Sequence, residues 1–222
     1  MQDLIKQEQF EIEVLDKLNS GKFLRYLIFG GGTMLRLCHG LDRYSVDLDF
    51  WLSREKTSED LPDTLRDYLS RDYVIRDAAD KFYTILLELK SPRYPRSLKL
   101  EIRKDKKHFH AEQAIAYSPH STLQVMVQTV SLTDMMASKV NAFLERKEIR
   151  DVYDLEFLVK RGVPLNLSGQ KRNKVLKQIE SLSKRDYAVK LGMLLEEEQR
   201  LYYRNENFKI LKQYLKTVNG KR

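Results

Sequence analysis

Apolar positions recur at helical spacing over residues 2–18, where Ile5, Phe10, Val14 and Leu18 share one side and Asn19-Ser20-Gly21 marks a stop. The next segment changes character. Tyr26-Leu27-Ile28-Phe29 is a short apolar run that ends in Gly30-Gly31-Gly32 and leads into helix-like Thr33-Met34-Leu35-Arg36-Leu37. This predicts a strand, a glycine turn and a helix in succession. From Val46 to Leu52 the period is two, with Val46, Leu48, Phe50 and Leu52 on one side and Asp47, Asp49 and Trp51 on the other. Residues 58–70 read as a helix capped by Ser58, and Tyr73–Ile75, Phe82–Leu89 and Leu98–Arg103 read as three more strands.

The period changes again at Ser131. Leu132, Met135, Met136, Lys139, Val140 and Phe143 fit a helix capped at Thr133 or Asp134, and Arg150 to Val159 fits a second, stopped by Gly162 and Pro164. Helical positions continue through Val175, Leu176, Ile179 and Leu182, then Leu191, Leu194 and Leu195, and finally Leu211, Tyr214, Leu215 and Val218. The plan is a mixed α/β front half, residues 1–130, and a helical back half, residues 131–222.

Charge is uneven along the chain. The whole chain carries +8, but residues 1–160 hold 25 Lys and Arg against 26 Asp and Glu, whereas residues 161–222 hold 15 against 6. The basic excess therefore lies in the tail, where it favours an anionic partner without saying anything about fold. Tyr202, Tyr203 and Tyr214 add rings that can stack on bases. Cys38 is the single cysteine, so an internal disulfide and a Cys-rich zinc site are both excluded. His39, His108, His110 and His120 lack metalloprotease spacing, and His108 and His110 sit in a Lys-rich stretch that reads as a solvated loop. No apolar run reaches the roughly 18 residues of a membrane span, and the N-terminus lacks a signal-peptide core. A cytoplasmic protein is expected.

The sharpest chemistry is in Asp47 and Asp49. Residues i and i+2 of a strand share a face, so both carboxylates point the same way from a rigid support. Such a pair can hold one or two Mg²⁺ ions, hard cations that take oxygen ligands together with substrate phosphates. The glycine turn suits phosphate, because its backbone allows close approach and helix N-terminal N–H groups attract anions. It is neither a Walker A loop nor a dinucleotide fingerprint, since the residues that complete those motifs are missing. A third acid, Glu101, shares a strand face with Lys99 and Arg103, where it serves either as a further ligand or as one half of a cross-strand ion pair.

These residues together resemble a known family. Gly31-Gly32-Thr33-Met34-Leu35-Arg36-Leu37, followed by Arg43-Tyr44-Ser45-Val46-Asp47-Leu48-Asp49-Phe50, looks like the first motif of the AbiEii/AbiGii toxins of the DNA polymerase β-like nucleotidyltransferase superfamily. Thr33 replaces the usual serine. Lys99-Leu100-Glu101 is similar to the second motif, with Glu for the more usual Asp. Asp134 to Lys139, with Phe143, Arg146 and Arg150-Asp151-Val152-Tyr153-Asp154-Leu155, is similar to the helical motif.

The resemblance implies an α+β fold, with a polymerase β-like nucleotidyltransferase core (a mixed sheet flanked by helices) followed by a C-terminal helical bundle. It implies transfer of NMP from an NTP, with Mg²⁺, or Mn²⁺ as an alternative, on Asp47, Asp49 and Glu101. Gly31, Gly32, Thr33, Ser45, Lys139 and Arg150 would bind nucleotide, and Lys139 and Asp151 would complete the catalytic set. It further implies a toxin with a cognate antitoxin and the tRNA 3′ end as leading acceptor. A protein side chain or small molecule as acceptor, and a catalytically silent binding module, are the alternatives.

Overall fold

The structure is a computed structural model that describes residues 1–53, 60–105 and 109–217. The chain divides into two compact units, Met1–Ser131 and Leu132–Arg222. Ser58 and His108, a helix cap and a loop residue by sequence, lie outside the described residues.

The first unit runs α1 (Gln2–Ser20), a 3₁₀ turn (Phe23–Tyr26), β1 (Leu27–Gly30), α2 (Gly31–His39), β2 (Asp47–Leu52) and α3 (Leu61–Leu69). It continues with β3 (Val74–Asp80), β4 (Thr84–Lys90), β5 (Leu98–Arg103), β6 (Ala111–Tyr117) and β7 (Gln124–Val130). The seven strands form one mixed sheet in the order β3-β4-β5-β2-β1-β7-β6. β2 pairs antiparallel with β1 and parallel with β5, which puts it at the centre. Its alternation holds from Asp47 to Phe50: Leu48 and Phe50 are fully buried with Leu98, Leu100 and Ile102 of β5, while Asp47 and Asp49 are half-buried. It fails at the ends, where Val46 and Leu52 are only half-buried and Trp51, read as lying on the acid side, is buried because its ring packs against Phe109 and Arg103. α1 packs against β5 and β7 and buries Phe10, Val14 and Leu18 completely. Each such side chain contributes about 1.5–3 kcal/mol of transfer free energy.

Two strands and several boundaries differ from the sequence-based plan. β6 and β7 were not anticipated, although Val125, Val127 and Thr129 do alternate and are buried. β6 gave little signal because it is an edge strand with mostly exposed side chains. Tyr26 belongs to the 3₁₀ turn rather than to β1, and α3 begins at Leu61 after Asp60.

α1 also carries acids into the interior. Glu8 is answered there by an ion pair with Arg36 and by the hydroxyl of Ser118, which donates to it at 2.5 Å. Glu11 is fully buried, and neither of its oxygens has a hydrogen-bond partner among the described residues. Burial pushes its carboxyl well above the usual range; Glu8 and Asp47 push the same way, and Arg36 opposes them. A carboxyl with a raised folded-state pKa holds its proton longer in the native state, so its contribution to stability falls as pH climbs from the unfolded towards the folded value. Glu11→Met is therefore expected to stabilise the protein at pH 8 by about 1–3 kcal/mol, the cost of a buried unsatisfied polar group. Urea titration at pH 8 and pH 5 checks this, with the smaller gain expected at pH 5. Equal gains at the two pH values would mean that Glu11 does not titrate in this way.

The second unit contains α4 (Leu132–Arg146), α5 (Ile149–Lys160), α6 (Gly169–Glu180), a π turn (Asp186–Leu191), a 3₁₀ turn (Gly192–Leu194), α7 (Glu197–Glu206) and α8 (Lys209–Thr217). α4 starts immediately after Ser131, earlier than the Thr133 or Asp134 cap read from sequence. The segment around Leu191, Leu194 and Leu195 is π and 3₁₀ turn rather than α-helix, yet Leu191 and Leu195 are fully buried. Burial of leucines at three- and four-residue intervals does not by itself distinguish these helical forms.

The buried carboxylate of Glu156 organises this unit. It accepts from the Tyr203 hydroxyl and from the backbone N–H of Leu211, each at 3.0 Å, and pairs with Lys160 at 3.0 Å. One α5 side chain thus ties α7 and the first turn of α8 together, supplying an acceptor to an N–H that the helix cannot satisfy itself. Tyr203 is consequently a buried structural ring rather than a base-stacking one.

Candidate active site

The register of the central strands assembles the acids. β2 and β5 run parallel with Asp49 directly opposite Glu101 and Asp47 opposite Lys99. Opposed residues in such a ladder lie about 4.8 Å apart and point to the same face. The two aspartates and Glu101 therefore share one half-buried face, although Glu101 comes from a strand fifty-two residues further along the chain. Glu101 also pairs with Arg103 at 3.4 Å, and the Arg103 guanidinium lies 5.3 Å from the Trp51 ring centroid. The ion pair expected across strands is thus formed along β5 itself, between residues two apart on one face.

The glycine turn closes on these acids. Gly30 of β1 pairs with Asp49 of β2, and Gly31 opens α2 with φ at +75°. A Cβ at Gly31 would collide with the Asp49 carboxylate and come within 2.9 Å of its Cβ. Both the backbone conformation and this close approach require glycine. At Gly32 a Cβ would meet the Arg43 guanidinium at 2.5 Å and Ser45 Oγ at 2.9 Å. The N-terminus of α2, a place of unsatisfied N–H groups and positive dipole, is therefore bordered by Asp49 on one side and by Arg43 and Ser45 on another.

The hydroxyl of Thr33 is engaged within the fold, which leaves its backbone N–H for the phosphate contact expected of it. The residue is fully buried, and its hydroxyl donates to the backbone carbonyl of Asp47 at 2.5 Å. The side chain pins α2 to the start of β2. Further along the same helix, Cys38 has its thiol pushed up to about 12 by burial, which makes it a packing residue rather than a nucleophile.

In the second unit, Lys139 of α4 is surrounded by acids from α5. Its ammonium lies 2.5 Å from Asp154 and 3.5 Å from Asp151, and both aspartates are fully buried. Arg146 grips Asp151 with two hydrogen bonds, at 2.8 and 2.7 Å. The i, i+3 spacing of Asp151 and Asp154 on one helix face is what presents both to the same lysine. Arg150 is exposed and makes no ion pair among the described residues.

The family model for the AbiEii nucleotidyl transferase toxin of type IV toxin–antitoxin systems matches residues 13–212. The chain belongs to the AbiEii family. No curated protein matches it. Among solved structures, a candidate nucleotidyltransferase from H. pylori is 18% identical over 91% of this chain and 97% of its own, with a TM-score of 0.52. JHP933 from Helicobacter pylori is also 18% identical, over 92% of this chain and 95% of its own, with a TM-score of 0.49. At this identity the first likeness shows the fold, an α+β nucleotidyltransferase architecture.

Within this AbiEii chain, the donor types suit a hard divalent cation. Among the described residues no three His, Cys, Asp or Glu side chains close around a common metal position. That arrangement is compatible with Mg²⁺, which is held through one or two carboxylates and substrate phosphates rather than by a protein cage. Asp47 and Asp49 could hold such an ion, with Glu101 adjacent in the ladder. The sequence reading missed Arg43 as a site residue and quoted it only within a motif. Its position over Gly32 depends on how the α2–β2 connection folds back, which no local spacing encodes.

Proposed function

We propose that this AbiEii member transfers a nucleoside monophosphate from an NTP to an acceptor hydroxyl, with the tRNA 3′ end as its acceptor. The observation that carries this reading is the placing of Asp49 opposite Glu101 and against Gly31 at the start of α2. The acceptor oxygen forms a bond to the α-phosphorus, the bond from that phosphorus to the bridging oxygen breaks, and pyrophosphate leaves with the electron pair. Glu101 is the carboxylate assigned to receive the acceptor proton. The N–H groups of Gly31, Gly32 and Thr33 and the side chains of Arg43 and Ser45 are assigned to the triphosphate. Asp47 and Asp49 hold Mg²⁺, or Mn²⁺, which when bound neutralises charge on the triphosphate and leaving group.

The C-terminal unit supplies cations for an anionic partner. The family motif assigns Lys139, which pairs with Asp154 and Asp151, and the exposed Arg150 to triphosphate charge. The basic excess after residue 160 supports a polyanionic acceptor such as tRNA. Arg172 is not part of that surface, being buried with its guanidinium donating to Leu167. Family membership supports an antitoxin as protein partner. Among the described residues no helix is long and apolar enough to cross a membrane, and the cytoplasm supplies the proposed substrates.

Incubation with each α-labelled NTP, Mg²⁺ and total tRNA tests the reading, with label followed into RNA, protein and small-molecule fractions. Label in tRNA is expected. Label in protein or a small molecule would move the acceptor, and no label in any fraction would remove the activity.

A further inference from the structure

A cavity of about 510 Å³ opens within the C-terminal unit, a size typical of small-molecule sites. Its walls come from the end of α6, the π turn, the end of α7 and the start of α8. Lys184, Arg204 and Lys212 line it, and none of their side chains has a hydrogen-bond or ion-pair partner among the described residues. Elsewhere in the unit Lys160 pairs with Glu156, Lys190 with Asp186 and Lys209 with Glu206. Against the three cavity cations stands one lining acid, Glu180. Like charges gathered on one concavity create a focused positive field that an anion relieves.

The remaining lining adds direction. Asn205 and Asn207 bring amides that both donate and accept, and neither side chain is hydrogen-bonded among the described residues. Tyr187 contributes a ring edge whose hydroxyl is likewise unengaged there, beside the apolar Ile179 and Leu182. The backbone is unusual at the same place. Asn207 and Phe208 are consecutive residues with φ of +48° and +56°, and the facing wall is a π turn. Complete burial of Phe208 and the Glu156 bond to Leu211 hold that conformation in place. Strain kept by surrounding packing, and π turns, are both concentrated at functional sites.

We propose that this cavity binds a phosphorylated nucleoside, with the phosphate on Lys184, Arg204 and Lys212 and the base or sugar edge on Asn205 and Asn207. A free nucleotide and one unpaired nucleotide of an RNA strand share that chemistry. The site is built entirely from the C-terminal unit, so it stands or falls independently of the strand acids.

The test is calorimetric titration of the full chain in EDTA at low salt with AMP, a single-stranded trinucleotide and inorganic phosphate. Saturable 1:1 binding is expected, weakened at least about tenfold by Lys184→Glu/Arg204→Glu/Lys212→Glu, which removes three charge-assisted contacts. Lys6→Glu/Arg76→Glu/Lys81→Glu changes net charge equally at exposed positions outside the cavity and outside the basic tail, and is expected to change Kd less than about twofold. Tight AMP binding identifies a free-nucleotide site, whereas binding of the trinucleotide alone identifies an RNA strand. Equal losses in the two triple variants, phosphate binding as tight as AMP, or no saturable binding would overturn the proposal. If circular dichroism shows the cavity triple variant unfolded, Lys184→Gln/Lys212→Gln replaces it, with a loss of about threefold or more expected.

Discussion

Asp49→Asn is expected to lower nucleotidyl transfer by at least about 10³-fold while leaving thermal stability within a few degrees of wild type. The substitution keeps the shape of the side chain and removes its charge, and Asp49 is half-buried rather than part of the core. Its carboxylate sits where three elements meet: opposite Glu101 on β5, opposite Gly30 on β1 and against Gly31 at the start of α2. Loss of a single group that stabilises developing charge in an excluded site costs about 10²–10³-fold, and loss of a metal ligand adds to this. Glu101→Gln is the informative companion. If Glu101 receives the proton, its rate loss should shrink as pH rises and hydroxide competes; if it is only a ligand, excess Mn²⁺ should recover activity. Transfer by Asp49→Asn within tenfold of wild type would sink the assignment of the metal to β2.

The second large effect concerns stability. Asp154→Ala should destabilise the C-terminal unit by about 3–5 kcal/mol, the range for leaving one partner of a buried ion pair uncompensated. Lys139 would keep Asp151 at 3.5 Å, but Asp151 is already gripped by Arg146. Urea denaturation followed by circular dichroism measures the loss. The double variant Lys139→Met/Asp154→Leu should recover most of it, because apolar replacement of a whole buried pair is close to neutral. A loss below about 1 kcal/mol in the single variant would mean that Lys139 reaches solvent when released.

Much of the catalytic face was legible because strand alternation is a local property. Asp47, Leu48, Asp49 and Phe50 alternate over a few residues, and the structure buries them as that period requires. Family membership and the α+β fold likewise followed from motifs with fixed short spacings. Other features depend on partners distant in sequence. The pairing of Asp49 with Glu101 is a matter of sheet order, and Thr33 turned inwards because Asp47 presents it a carbonyl. The burial of Lys139 against Asp151 and Asp154 likewise depends on α5, which supplies both aspartates. β6 was invisible for a different reason: with few neighbours to bury against, an edge strand carries no strong alternation.

The sheet order has a consequence for how the chain reaches its active form. β1 lies between β2, which follows it closely, and β7, reached only near residue 129. Closing loops of that span is an entropic cost met before the contacts repay it. During synthesis the glycine turn and the aspartates leave the ribosome early, but the strand bearing Glu101 is made some fifty residues later and the far neighbour of β1 later still. A nascent or prematurely ended chain therefore carries the most recognisable motif before the strands that complete the sheet around it.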